Sequence, residues 1–205
     1  MFARIILLSL LLGYSAVASA VWVRLTSLSP THAELTINDS PRTMRPGQES
    51  PEGVRLISIS GAYAEIQANG NTHRLRLGER VFPSVMLQAD GRGHYISEVL
   101  INGRRTAAMV DTGASSIAMS RSEADRLGIA YRDARKISTS TAGGASAAYV
   151  VNLDSVQAGS IELRNVEATI SVLADSPGIV LLGMSFLHRV EMLKDGNRLM
   201  LIQRR

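Results

Sequence analysis

Paired turn residues recur along this chain and commit it to β structure. Asn69-Gly70 and Asn102-Gly103 each separate two short apolar runs, and Asn and Gly tolerate the positive φ values that a type I′ hairpin turn requires. Asp195-Gly196 sets up another hairpin near the end of the chain, and Gly143-Gly144 gives a flexible tip to one in between. The runs between them alternate in polarity. Residues 33–38, 54–60, 62–68 and 72–77 read as strands, as do 95–101, 104–110, 161–173 and 199–202. Helix is expected at two places. Ser120 and Glu123 have the spacing of a capping box, with Ala124 and Leu127 on one face and Gly128 as the stop. Residues 184–190 supply one or two further turns. The expected fold class is all-β.

The same pattern divides the chain. Residues 21–83 hold short strands interrupted by Pro41, Pro46, Gly47, Pro51 and Gly53, which suits a small all-β domain of about 60 residues. It contains no catalytic constellation and reads as a spacer or docking domain. Its stretch 53–79 resembles the small β domains of bacterial secretion-assembly proteins. Residues 84–93 end in Gln88-Ala89-Asp90-Gly91-Arg92-Gly93, and this polar, glycine-bearing piece is expected to be a linker. Residues 94–205 form the second module. Ahead of both, Arg4 precedes an apolar stretch and Ala18-Ser19-Ala20 supplies a small-x-small cleavage pattern, so residues 1–20 read as a secretory signal peptide. Residues 5–23 carry no charge, and these 19 residues are also long enough for an uncleaved membrane anchor. Both readings place the remainder outside the cytoplasm, with a bacterial periplasm as the expected location.

Composition removes several classes of function. At 45% hydrophobic and 20% charged residues the chain is globular in character. It has no Cys, which excludes disulfides, cysteine nucleophiles and thiolate metal sites. Its four His (His32, His73, His94, His188) lack metal-ligand spacing, so no metal or other cofactor is expected. His94 reads as a surface or strand-start residue rather than a substrate contact. The net charge of +4 comes with scattered Arg and no basic run, and nucleic acid is not an expected partner.

One constellation carries chemistry. The apolar strand ending Ala107-Ala108-Met109-Val110 runs straight into Asp111-Thr112-Gly113-Ala114-Ser115-Ser116. Much later the apolar run 179–182 ends in Gly183, followed by the short helical stretch, and the glycine-tipped hairpin lies between the two. Taken together these features resemble the retropepsin-like aspartic proteases, bacterial extracytoplasmic relatives included, over residues 94–205. In that family each subunit carries one Asp-Thr-Gly loop, one flap hairpin and one apolar-apolar-Gly segment leading into a helix. The resemblance places the loop at Asp111, Thr112, Gly113 and Ala114, the flap at Ala142, Gly143 and Gly144, and the distal motif at Leu181, Leu182 and Gly183. It implies a closed β-barrel with a flap hairpin and a short C-terminal helix. It also implies an aspartic endopeptidase acting on protein or peptide substrates as a homodimer.

The chemistry fits those residues. Two carboxyls held close together cannot both ionise, so they share a proton. The ionised one takes a proton from water, and the protonated one polarises the peptide carbonyl. Asp111 would be that carboxyl, Thr112 would brace the two loops across the dimer, and Gly113 keeps a side chain out of the way. The other Asp-Ser pairs, at Asp39, Asp154 and Asp175, are not followed by Gly. One chain therefore supplies one carboxyl, and a twofold dimer is expected. The sequence departs from the viral pattern at Met184, where those enzymes carry a polar residue, and at residues 141–145, which hold no large aliphatic side chain. Two other functions compete. One is a catalytically silent dimeric module that binds peptide or docks to an envelope assembly. The other is a structural lipid- or wall-associated β protein. The intact Asp111-Thr112-Gly113 argues against the first, and only the signal segment and β content speak for the second. Ser115 and Ser116 lack the surroundings of a nucleophile elbow.

Overall fold

The computed structural model describes residues 20–141, 144–172 and 178–204. Seven strands come first: β1 (Val23–Leu28), β2 (Ala33–Ile37), β3 (Ser40–Met44), β4 (Arg55–Ser60), β5 (Tyr63–Ala68), β6 (Asn71–Leu75) and β7 (Arg80–Val81). They form two sheets, ordered β3-β2-β1-β7 and β4-β5-β6. Strand side chains alternate between faces, and Val23, Leu25, Leu35 and Ile37 of one sheet share a core with Leu56, Ala64, Ile66 and Leu75 of the other. Asn69-Gly70 makes the expected turn, with φ of 53° and 75°. Asn38-Asp39 makes a second one without glycine, at 46° and 68°. That turn leads into β3, which contains Pro41. A proline is tolerated there because β3 is an edge strand.

Val21 and Val23, the end of the uncharged run 5–23, are buried in this first core. Residues 1–19 of the expected signal peptide lie outside the described residues. Among the described residues no helix is long and apolar enough to cross a membrane.

The second module holds β8 (Ser84–Gln88), β9 (Ile96–Ile101), β10 (Arg104–Val110), β11 (Ile117–Ser120), α1 (Arg121–Arg126), β12 (Arg135–Thr141), β13 (Gly144–Ala158), β14 (Ile161–Ser171), β15 (Val180–Leu182), α2 (Met184–Leu187), β16 (Val190–Asp195) and β17 (Arg198–Gln203). One sheet runs β12-β13-β14-β11-β15-β10-β9. β13 also pairs with β9, through Val156↔Ile101, Gln157↔Leu100 and Ala158↔Val99. That second pairing closes β13, β14, β11, β15, β10 and β9 into a six-stranded barrel and leaves β12 outside it. The interior is aliphatic, with Val99, Ile101, Ile117, Leu153, Val156, Ile161, Ile170 and Leu182, and Phe186 of α2 seals it.

The expected linker 84–93 is corrected in its first half. β8 pairs antiparallel with β17 from Ser84↔Ile202 to Gln88↔Arg198, in a sheet ordered β16-β17-β8. Leu87 is buried with Leu199 and Leu201 in the barrel core, Val85 packs against it, and Met86 points out. The Ser160 hydroxyl donates to Ser84 O at 2.9 Å and accepts from Ser84 N at 2.8 Å. Burial of Leu87 and the β17 ladder outweigh the polar character of the residues that follow, so the module begins at Ser84. A fragment of residues 84–205 is expected to unfold cooperatively in denaturant. A fragment of residues 94–205 loses Leu87 and β8, and should be less stable by at least about 2 kcal/mol in the same titration.

Candidate active site

β10 delivers Asp111. Its Ala108, Met109 and Val110 run parallel to Val180, Leu181 and Leu182 of β15, and β15 meets β11 antiparallel at Leu181↔Ala118. β10 and β11 therefore flank β15, and residues 111–116 must cross its end to join them. They cross directly over Gly183. A Cβ there would stand 2.1 Å from Ser116 O and 2.7 Å from Ala114 O, so the position admits only glycine. The reason is close approach of backbone and not torsion, because φ is −88°.

Hydrogen bonds fasten this crossing. Met184 N donates to Ala114 O at 2.8 Å, Ser185 N to Ser115 O at 3.0 Å, and Asp111 N to Leu182 O at 3.2 Å. The Ser185 hydroxyl donates to Glu167 O at 2.7 Å and accepts from Ile117 N at 3.0 Å. The buried Ser116 hydroxyl pairs with that of Thr169 at 3.1 Å. Asp111 itself is half-buried, and its Oδ1 accepts from Gly113 N at 2.8 Å. Thr112 and Gly113 are exposed at the tip of the loop, and Ala114 is half-buried. A Cβ on Gly113 would come within 3.2 Å of the same Asp111 oxygen.

The structure thus brings Asp111, Thr112, Gly113 and Ala114 together with Leu181, Leu182 and Gly183, as the sequence pattern requires. The hairpin of β12 and β13 is paired from Arg135↔Val150 to Thr141↔Gly144. Gly144 opens β13, while Ala142 and Gly143 lie outside the described residues. Ser185 and Thr169 were not singled out from sequence, and Ser116 was weighed there only as a nucleophile. A serine two residues beyond the distal glycine is the one signal that could have pointed to Ser185. On the face of the sheet away from the core, Ile96, Met109, Leu181 and Ala118 form an apolar row across four strands, each partly exposed. Asp111 follows on that face.

A second clamp holds β10 from the side. Ser120 caps α1 by accepting from Glu123 N at 3.2 Å, which is half of the expected capping box. The Glu123 carboxylate does not turn back to Ser120 N. It is only 5% exposed and accepts from Thr106 Oγ1 of β10 and from Arg126. Arg126 also donates to Arg105 O at 2.8 Å. The Arg126 guanidinium, helped by Thr106, holds the Glu123 carboxyl below the ordinary glutamate range, against burial, which pushes it up.

The comparisons with known proteins agree with this geometry. The family model described as "gag-polyprotein putative aspartyl protease" matches residues 97–189. The crystal structure of a retropepsin-like aspartic protease from Rickettsia conorii is 31% identical, with a TM-score of 0.50, and the match covers 58% of this chain and 98% of that one. An uncharacterized protein of Sinorhizobium sp. is 36% identical over 54% of this chain and 47% of its own length. One from Rickettsia prowazekii (strain Madrid E) is 33% identical over 51% and 45%. The chain spans about half the length of these curated relatives. The chain belongs to the retropepsin-like aspartic protease family.

Gly183→Ala is expected to cost more than about 4 kcal/mol, because backbone and not a flexible side chain must move. Loss of the cooperative transition in chemical denaturation checks it. Glu123→Gln should cost about 1–3 kcal/mol at neutral pH, since a buried charge-assisted pair is broken. A depressed carboxyl stabilises above its unfolded value of about 4.3 and loses that contribution as pH falls through its folded value. The gap between wild type and Glu123→Gln, read from denaturation midpoints, should therefore be widest above about pH 5 and shrink in acid.

Proposed function

We propose that the protein is an aspartic endopeptidase that acts as a homodimer, with Asp111 of one chain and Asp111 of the partner subunit forming the catalytic pair. The observation that carries this reading is the Asp111 loop, held against Gly183 at the end of β15 with Thr112 and Gly113 exposed and one carboxyl per chain. The sequence holds a single Asp-Thr-Gly loop, so one chain supplies one such carboxyl. A second copy supplies what the mechanism needs.

The ionised Asp111 removes a proton from water as the water oxygen attacks the peptide carbonyl carbon. The protonated Asp111 gives its proton to the carbonyl oxygen, forming a tetrahedral gem-diol. Collapse breaks the C–N bond, and a proton passes from carboxyl to the leaving nitrogen. No covalent enzyme intermediate forms. The apolar row of Ile96, Met109, Leu181 and Ala118 suits apolar substrate side chains beside the bond that is cut. The β12–β13 hairpin serves as the flap that covers an extended peptide. The leader-like residues 1–20 support an extracytoplasmic location, and the first module serves as its spacer or docking domain.

The test is cleavage of a mixed peptide library from pH 3 to 8 at several protein concentrations, beside Asp111→Asn. Specific activity should rise with concentration, and Asp111→Asn should lower kcat by a factor of about a hundred to ten thousand. Full activity in Asp111→Asn would overturn the reading. A peptide that is bound but never cut would assign the fold to binding instead.

A further inference from the structure

The ladder between β9 and β10 does not stop where the strands do. Its last regular pair is Ile96↔Met109, and Val110 N then donates to Tyr95 O at 2.9 Å. Continuing that register by one step sets His94 across from Asp111. Tyr95 and Val110 both lean on the barrel core. Side chains alternate along a strand, and directly opposed residues share a face. His94 therefore lies on the face of Asp111, beyond the apolar row that begins at Ile96 and Met109.

The chain takes trouble to hold this histidine still. Asp90 Oδ1 accepts from Arg92 N and from His94 N, both at 2.8 Å, and Asp90 N donates to His94 O at 2.8 Å. The Asp90 Oδ2 stands 3.4 Å from His94 Nδ1. These bonds to backbone N–H groups keep Asp90 below the ordinary aspartate range, as an anion. Asp90 thus sets an anionic carboxylate near one ring nitrogen of His94 and leaves the other nitrogen to meet a different group. Nε2 has no partner among the described residues, and the side chain is 48% exposed. Neither the core nor the turn needs an imidazole at this point.

We propose that His94 is a specificity-determining residue of the endopeptidase reading given above. In its imidazolium form, with Nδ1–H toward Asp90, the ring donates through Nε2–H to an acidic substrate side chain within a few residues of the bond that is cut. The site would then combine the apolar row with one carboxylate-reading position, and Asp90 would act as a positioning residue through His94. Charge-assisted hydrogen bonds are the stronger kind, so the group should distinguish Glu from Gln.

The experiment uses the full chain and a peptide it cleaves. Each of the three positions on either side of the cut is changed in turn to Glu or Gln, and kcat/KM is measured for each pair. Wild type should prefer Glu at one position by about tenfold, the ratio expected from one charge-assisted bond. His94→Gln should bring that ratio to about one, His94→Arg should restore it, and Asp90→Asn should lower it. Cleavage by wild type with no Glu preference anywhere, or with the same ratio in His94→Gln, overturns this assignment alone. A wild type that cleaves nothing overturns the endopeptidase reading and this assignment with it.

Discussion

The contact of Gly183 with the Ala114 and Ser116 carbonyls is the constraint on which the site depends. β10 and β11 lie on opposite sides of β15, so the chain between them has to pass over the end of that strand at backbone distance. A single methyl group at position 183 would overlap Ser116 O, at 2.1 Å. Once the crossing is closed, the N–H groups of Met184 and Ser185 meet the carbonyls of Ala114 and Ser115, and α2 starts from that seam. Asp111 is therefore positioned by backbone geometry, and the side chains around it are relieved of that task.

Barrel closure and the hairpin are two uses of one strand. β13 is 15 residues long, and its end at Ala158 pairs with both β14 and β9 while its beginning pairs with β12. The closing ladder at Val156–Ala158 anchors the base from which the hairpin projects. From Arg135↔Val150 to Thr141↔Gly144 the hairpin has continuous pairing. α1 secures the other side of the site through Glu123 and Thr106, where a buried carboxylate links helix to strand.

Much of this was legible in the sequence, for reasons that differ by element. Asn102-Gly103 marks its hairpin because few other pairs accept two positive φ values, and both are positive here. Asp111 and Gly183 were legible because an apolar strand precedes each. β8 was hidden by the polar run behind it, and because Val85, Met86 and Leu87 are all apolar they did not show which of them would face out, as Met86 does. β3 was hidden by Pro41, since an edge strand cannot be told from an interior one before the sheet is known. The partners of Ser185, Ser116 and Thr169 come from distant parts of the chain, and no local pattern foretells them. His94 was read as a surface or strand-start residue, and it stands exposed just ahead of β9.

The Ser160–Ser84 clamp gives the molecule a defined path for mechanical load. The first module is joined to the second through Phe82 and Pro83, and Ser84 already lies in a ladder. Any pull on the first module reaches Ser84 at once. It meets the paired hydrogen bonds to Ser160, where Gly159 packs so closely that its absent Cβ would lie 2.7 Å from Val85 Cβ. Beyond that clamp β8 leads along β17, the strand that also carries β16. Tension would pass into the barrel wall at the β13–β14 turn before it could peel β8 away. Load arriving from the first module would in this way stay out of the loop that holds Asp111.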